Sequence, residues 1–264
     1  MDEVIVTRPA EHVLVITLNR PDKMNAINAE LADALLTALT GFDADPSLRV
    51  AVITGAGRAF CAGRDLRQRA EDQAAPSPPG AELAEFLAGH PGDAYSTLVT
   101  NKPVIAAVNG YCLGGGFELA LWCDIRVAAE GATFGVPEIK RGFFPGGGGP
   151  QRLARIAPQS LAMEMLLSGD PIDAEHALRA GIVSRVTPLA EVVNTAIDLA
   201  RSIAANAPLA VRAVKEVYAH ATDAPLAEAL RFGSAFRWMV GQTEDAKEGP
   251  RAFSEKRPPD YHGR

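Results

Sequence analysis

Along the chain the spacing of apolar residues shifts between strand and helix periods. From Val4 to Asn19 the pattern predicts two short strands broken at Arg8-Pro9, because proline has no N–H to give to a ladder. From Asn28 to Asp43 the period becomes helical. Leu31, Leu35, Leu39 and Phe42 fall on one face, and Asn28 can cap the helix. Val50 to Thr54 reads as a short apolar strand ending in Gly55-Ala56-Gly57, and Pro103 to Val108 as another ending in Asn109-Gly110. Short apolar strands alternating with helices indicate an α/β fold. From Ala157 onward helices dominate: Ala190 to Ala205, Ala207 to His220 and Pro225 to Val240 are long and periodic, with a strand expected at Ile182 to Val186. The expected organisation is a core over 1–190 and a helical region over 191–264. Arg67 to Gly92 contains AAPSPPG and lacks sustained periodicity. It reads as a long mobile loop, placed where specificity elements can sit.

Composition narrows the class of protein. With 264 residues the chain can bury a sizeable core, as one large or two small domains. At 47% hydrophobic and 22% charged residues, neither global disorder nor a coiled coil fits. A net charge of −6 argues against a general nucleic-acid or membrane-surface binder, while leaving room for a local basic patch. The three Cys have no metal-like spacing and suit a reducing, cytoplasmic setting. The first residues do not form a signal peptide, and no run approaches the ~18 apolar residues of a membrane helix.

Three stretches could carry chemistry. In Tyr111 to Trp122 a strand ends, Gly114-Gly115-Gly116 follows, and a helix begins with Glu118 in its first turn. The first N–H groups of a helix carry partial positive charge and can polarise a carbonyl oxygen or hold an anion. Tight helix–strand packing is the common reason for glycines alone; Glu118 in the first turn, where it could complement the dipole or work in catalysis, tilts the balance. A second acid, Glu138, follows Phe134-Gly-Val-Pro137 at another strand end, where a helical turn or loop starts. Alone it is an ordinary solvated or capping acid. Two glutamates at strand-to-helix junctions of one core can instead share a cavity, one giving a proton and the other taking one.

The third stretch runs from Val50 to Leu66. Its GAGRAF nearly matches a dinucleotide-binding fingerprint, but Phe60 replaces the third glycine and Cys61-Ala62-Gly63 interrupts any following helix. The alternative is a loop with a backbone N–H at Ala62 and a cluster of Arg58, Arg64, Arg67 and Arg69. That cluster is either a solvated charged face or an anchor for phosphates. There is no G-x-S-x-G, no Walker A and no metal-like pairing of the five His, and the Cys read as buried packers. A glycosidase also uses two carboxylates, but 6% aromatics offers little for sugar stacking.

The chain resembles the enoyl-CoA hydratase/isomerase (crotonase) family over nearly its whole length. The resemblance lies in Asn19-Arg-Pro-Asp-Lys-Met-Asn-Ala26, Ala59-Phe-Cys-Ala-Gly-Arg-Asp-Leu66, Lys102 to Gly110, Gly114-Gly-Gly-Phe-Glu118 and Phe134-Gly-Val-Pro-Glu138, with Gln151-Arg-Leu153 and Ala252 to Arg257 as later landmarks. Pro21 to Ile27, Gly115 to Leu121 and Glu244 to Pro250 are similar to its carnitinyl-CoA dehydratase (crotonobetainyl-CoA hydratase) subfamily. The resemblance implies a ββα superhelical spiral core with a helical C-terminal trimerisation region, assembled as a homotrimer or dimer of trimers. It implies an acyl-CoA thioester as substrate and hydration of its 2,3 double bond, with no metal or redox cofactor and with coenzyme A as part of the substrate. By motif, the N–H groups of Ala62 and Gly115 would hold the thioester oxygen, and Glu118 and Glu138 would be the acid–base pair. CoA contacts would fall on Lys23, Met24, Ala26, Ala62, Gly63, Arg64, Asp65, Leu66 and Gly115. Phe253 and Lys256 would reach CoA from the tail, often across a subunit boundary. A double-bond isomerase, a non-catalytic acyl-CoA binder and a dinucleotide-dependent oxidoreductase are the alternatives.

Overall fold

The computed structural model describes residues 2–68, 70 and 98–264. Arg69 and residues 71–92 of the expected loop lie outside the described residues. The chain opens with a hairpin of β1 (Val4–Ala10) and β2 (Val13–Leu18). The break falls at Glu11-His12, where His12 takes φ 63°, rather than at Arg8-Pro9. Pro9 is tolerated inside β1 because that strand is a sheet edge, and its register slips between Thr7 and Ala10. Helix α1 (Ala29–Ala44) is capped as expected: the Asn28 side chain accepts from the Leu31 N–H at 3.0 Å. Leu31, Leu35, Leu39 and Phe42 are its buried face.

The strands that follow enter two sheets in turn. β3 (Val50–Gly55), β5 (Val104–Val108) and β7 (Ile125–Ala129) join a large sheet of order β1-β2-β3-β5-β7-β10, parallel from β2 to β10 (Arg185–Thr187). Their immediate successors, β4 (Ala59–Cys61), β6 (Tyr111–Leu113) and β8 (Thr133–Gly135), run parallel in a smaller sheet closed by antiparallel β9 (Ile172–Asp173). Each turn of the chain thus gives one strand to each sheet. A helix or helical turn follows: α2 (Gly115–Trp122) after β6, and a 3-10 turn (Pro137–Arg141) after β8. This is the expected ββα spiral. The expected strand at Ile182–Val186 starts later, at Arg185, because Ile182 and Val183 are buried in the turn ahead of it.

The large sheet is apolar on both faces, which explains its unalternating strands. One face packs on α1 and α2. The other is covered by α6 (Val192–Ala204), whose Val192, Ala196, Ile197 and Ala200 lie on Val13, Val15, Val50, Val52 and Ile105. Between these come α3 (Gly149–Ile156), α4 (Gln159–Ser168) and α5 (Ala174–Arg179); α7 (Pro208–Ala221), α8 (Leu226–Gly241) and α9 (Glu244–Glu255) complete the chain. Cys61, Cys112 and Cys123 are buried. Burial raises the Cys112 thiol and pushes Cys123 up to about 12, so neither is poised as a nucleophile. No helix among the described residues is long and apolar enough to cross a membrane.

The Gly55-Ala56-Gly57 turn leads into β4, not into a helix, so the dinucleotide fingerprint lacks its required context. Two buried asparagines pin this turn. Asn109 Nδ2 donates to the carbonyls of Gly55 and Gly57, both at 2.9 Å. Asn25 Nδ2 donates to the carbonyls of Ala56 and Ala59, at 3.0 and 2.8 Å.

Candidate active site

The C-terminal ends of β4, β6 and β8 lie side by side, so the segments that leave them converge. Between them is a cavity of about 300 Å3, whose wall includes Ala62, Gly63, Gly115, Glu118 and Glu138. The two glutamates named from sequence therefore share one cavity with the two proposed backbone donors.

Glu118 is only 2% exposed. Burying a carboxylate is costly without donors. Here it lies in the first turn of α2, and its Oε1 accepts from the N–H of Gly149, the first residue of α3, at 2.8 Å. The positive ends of two helices thus meet at one carboxylate. Glu138 sits on the 3-10 turn after β8, with its side chain against Gly114. That glycine takes φ 54°, and a Cβ there would lie 2.8 Å from Glu138 Oε1.

The backbone donors differ from expectation. Gly115 begins α2, so its N–H lies at the positive end of that helix. The Ala62 N–H is already engaged: it donates to the Met24 carbonyl at 3.0 Å. The expectation of an open donor at Ala62 is corrected accordingly. The cause is the turn at Met24, which takes φ 52° and lays its carbonyl against the end of β4.

That turn also organises the expected CoA segment. Met24, Ala62, Gly63, Arg64 and Leu66 line the cavity with Gly115, whereas Lys23 and Ala26 flank it in the neighbouring turn. The two stretches are stitched by Ile27 N–H to the Gly63 carbonyl and Asp65 N–H to the Ile27 carbonyl, each 2.8 Å. Asp65 does not face the cavity; its carboxylate accepts from Arg20 at 3.2 Å, and Arg20 also donates to the Ala26 carbonyl. Partial burial raises the Asp65 carboxyl, but the Arg20 hydrogen bond, the Arg67 and Gln68 backbone hydrogen bonds and the Arg20 charge together outweigh it, and the net shift is downward. Within the chain Asp65 braces the turn through Arg20. Of the arginine cluster, Arg64 reaches the cavity; Arg58 and Arg67 are exposed outside it. Phe253, 86% exposed on α9, and Lys256, at the end of that helix, do not line the cavity within the chain.

Sequence reasoning missed part of the wall. Leu113, Pro137, Arg141, Phe143 and Phe144 complete it, along with Gly146 and Gly147. The signal was present in Pro137 to Gly149, where a helical turn and two phenylalanines precede a run of glycines. Among the described residues no group of three His, Cys, Asp or Glu side chains is placed to hold a metal ion.

A family model described as enoyl-CoA hydratase/isomerase matches residues 8–264. A 2,3-dehydroadipyl-CoA hydratase of Escherichia coli (strain K12) is 43% identical, covering 100% of both chains. A carnitinyl-CoA dehydratase of Salmonella enteritidis PT4 is 44% identical, over 96% of this chain and 95% of its own. Among solved structures, an enoyl-CoA hydratase from Mycobacterium tuberculosis H37Rv superposes with a TM-score of 0.90 at 38% identity, covering 100% of both chains. One from Bacillus anthracis superposes with a TM-score of 0.89 at 36% identity, over 99% of this chain and 100% of that one.

Proposed function

The chain belongs to the enoyl-CoA hydratase/isomerase family, and we propose that it is a hydro-lyase that adds water reversibly across the 2,3 double bond of an enoyl-CoA thioester. The observation that carries this reading is the meeting of Glu118 and Glu138 on one cavity beneath the start of α2. A thioester enolate is high in energy, so the site must stabilise charge on the thioester oxygen. Gly115 supplies one N–H for it. The positive end of α2 reinforces it, while the Ala62 N–H stays on the Met24 carbonyl. Glu118 orients the water and takes its proton as the oxygen attacks the β-carbon; Glu138 gives a proton to the α-carbon. Side chains and backbone suffice for these steps. The coenzyme A portion lies along Met24, Ala62, Gly63, Arg64 and Leu66, with Lys23, in the neighbouring turn, beside the phosphates. The protein works in a reducing cytoplasm as a trimer or dimer of trimers, with α7, α8 and α9 forming the assembly region.

Incubation with 2-enoyl-CoA esters, followed by mass spectrometry, tests for gain of one water. Glu118→Gln and Glu138→Gln should each lower kcat by at least ~10²-fold and leave CoA-ester binding nearly unchanged, since acid–base catalysis contributes about 10²–10⁴-fold. Turnover that depends on Glu138 alone, with a shifted double bond as product, would instead identify an isomerase. Binding without turnover would identify a carrier.

A further inference from the structure

The wall that closes the cavity beyond the two glutamates carries a cation the hydration chemistry leaves unused. Arg141 ends the 3-10 turn that holds Glu138, and three residues per turn bring it to the same side as that acid. The neighbouring Lys140 is turned away and paired with Asp170. Arg141 instead lines the cavity. Its guanidinium makes one long hydrogen bond, 3.5 Å to the Pro137 carbonyl, and no ion pair with any described residue, the cavity's own glutamates included. Beside it stand Phe143 and Phe144, and Phe144 is 72% exposed. The wall is therefore an apolar stretch with a guanidinium that forms no ion pair among the described residues.

We propose that Arg141 anchors a carboxylate at the far end of the acyl group, so that the preferred substrate is the CoA monothioester of an unsaturated dicarboxylic acid. This deepens the hydratase reading and rests on it. A second carboxylate entering a cavity already lined by Glu118 and Glu138, in a chain of net charge −6, is repelled unless a local cation receives it. Arginine suits the task because its planar fork matches a carboxylate with two parallel hydrogen bonds. The phenylalanines would cover the methylenes between the double bond and the acid. The same guanidinium repels an acyl group ending in a quaternary ammonium, which separates two substrate types of equal bulk by charge alone.

The test uses three 2-enoyl-CoA esters of matched chain length, ending in a methyl, a carboxylate and a trimethylammonium group. Each is assayed with the wild type, Arg141→Met and Arg141→Lys. The wild type should show its highest kcat/KM on the carboxylate ester. Arg141→Met should lower that value by about 10-fold or more, as loss of a charge-assisted pair does, while the methyl ester changes by less than about 2-fold. Arg141→Lys should restore part of the loss. An equal fall on the methyl and carboxylate esters would overturn the proposal, since Arg141 would then serve CoA phosphates or the cavity wall. A wild type that hydrates the methyl and carboxylate esters equally well would overturn it too, leaving the hydratase reading intact. Hydration of none of the three would overturn both.

Discussion

Glu118 shows how much of this site depends on single atoms of backbone. A carboxylate 2% exposed keeps its place because the Gly149 N–H reaches it and two helix starts face it. Both acids also rest against glycines. A Cβ at Gly149 would lie 3.0 Å from Glu118 Oε1, and one at Gly114 would lie 2.8 Å from Glu138 Oε1. Gly149→Ala should therefore displace Glu118 without unfolding α3, where alanine is the better helix former. We expect kcat to fall on the order of 10- to 100-fold, as a displacement near 1 Å can cost, with the thermal midpoint close to wild type. Gly114→Ala should act likewise on Glu138 and also lower the midpoint, because φ 54° strains any residue with a side chain. Steady-state kinetics and thermal melts on both variants check this; an unchanged kcat in Gly149→Ala would contradict the assignment. At this scale the sequence shows Glu118 and Glu138 because each follows a strand end at a glycine or proline. It hides the Gly149 donor and the Met24 carbonyl on Ala62, because both are backbone groups brought in from distant turns.

At the scale of elements, α1 is legible to its cap, since a four-residue apolar stripe and Asn28 are local properties. The extent of β1 is not, because whether Pro9 breaks a strand depends on that strand being an edge, which is a tertiary fact. The end of α9 is a similar case. Its buried Glu248 accepts from Arg257 at 2.5 Å and from the Asp260 N–H at 3.1 Å, and Arg251 joins them. The neighbouring Asp245 accepts from the His262 and Gly263 N–H groups, each at 2.8 Å. Residues 257–264 are thus folded back by two acids of one helix. The Arg257 hydrogen bond, then that of the Asp260 N–H, lowers the Glu248 carboxyl from 4.5 to about 2. A carboxyl depressed in the folded state stabilises it fully above the unfolded value. That stability is lost as pH falls from about 4.5 towards about 2. The gap in thermal midpoint between wild type and Glu248→Gln should accordingly be widest near neutral pH and narrow through this window. A gap that stays constant with pH would show that Glu248 acts by shape alone.

For the whole molecule, the last helices carry a concentration of exposed apolar side chains. Val214 and Tyr218 on α7 and Leu230 and Trp238 on α8 are exposed. Between the two helices runs an apolar groove lined by residues such as Ala213, Val217 and Phe236. Contiguous patches of this kind mark association surfaces. The position of Phe253 and Lys256 adds a functional reason. Both stand away from the cavity of their own chain, yet both match tail residues that reach CoA in the resembling family. The resemblance implies that such residues often reach CoA across a subunit boundary. We therefore expect light scattering to report trimers or hexamers for the wild type. A doubly charged variant, Tyr218→Glu with Trp238→Glu, should shift towards monomers, because burying two new carboxylates in an apolar interface is costly. Its kcat per intact site should change little, since Glu118 and Glu138 belong to one chain, while KM for the CoA ester should rise. The same rise should appear in Lys256→Ala without dissociation, through loss of one cation near the phosphates. Were the charged variant monomeric with an unchanged KM, Phe253 and Lys256 would have no part in binding, and the cavity of a single chain would hold the whole of the CoA site.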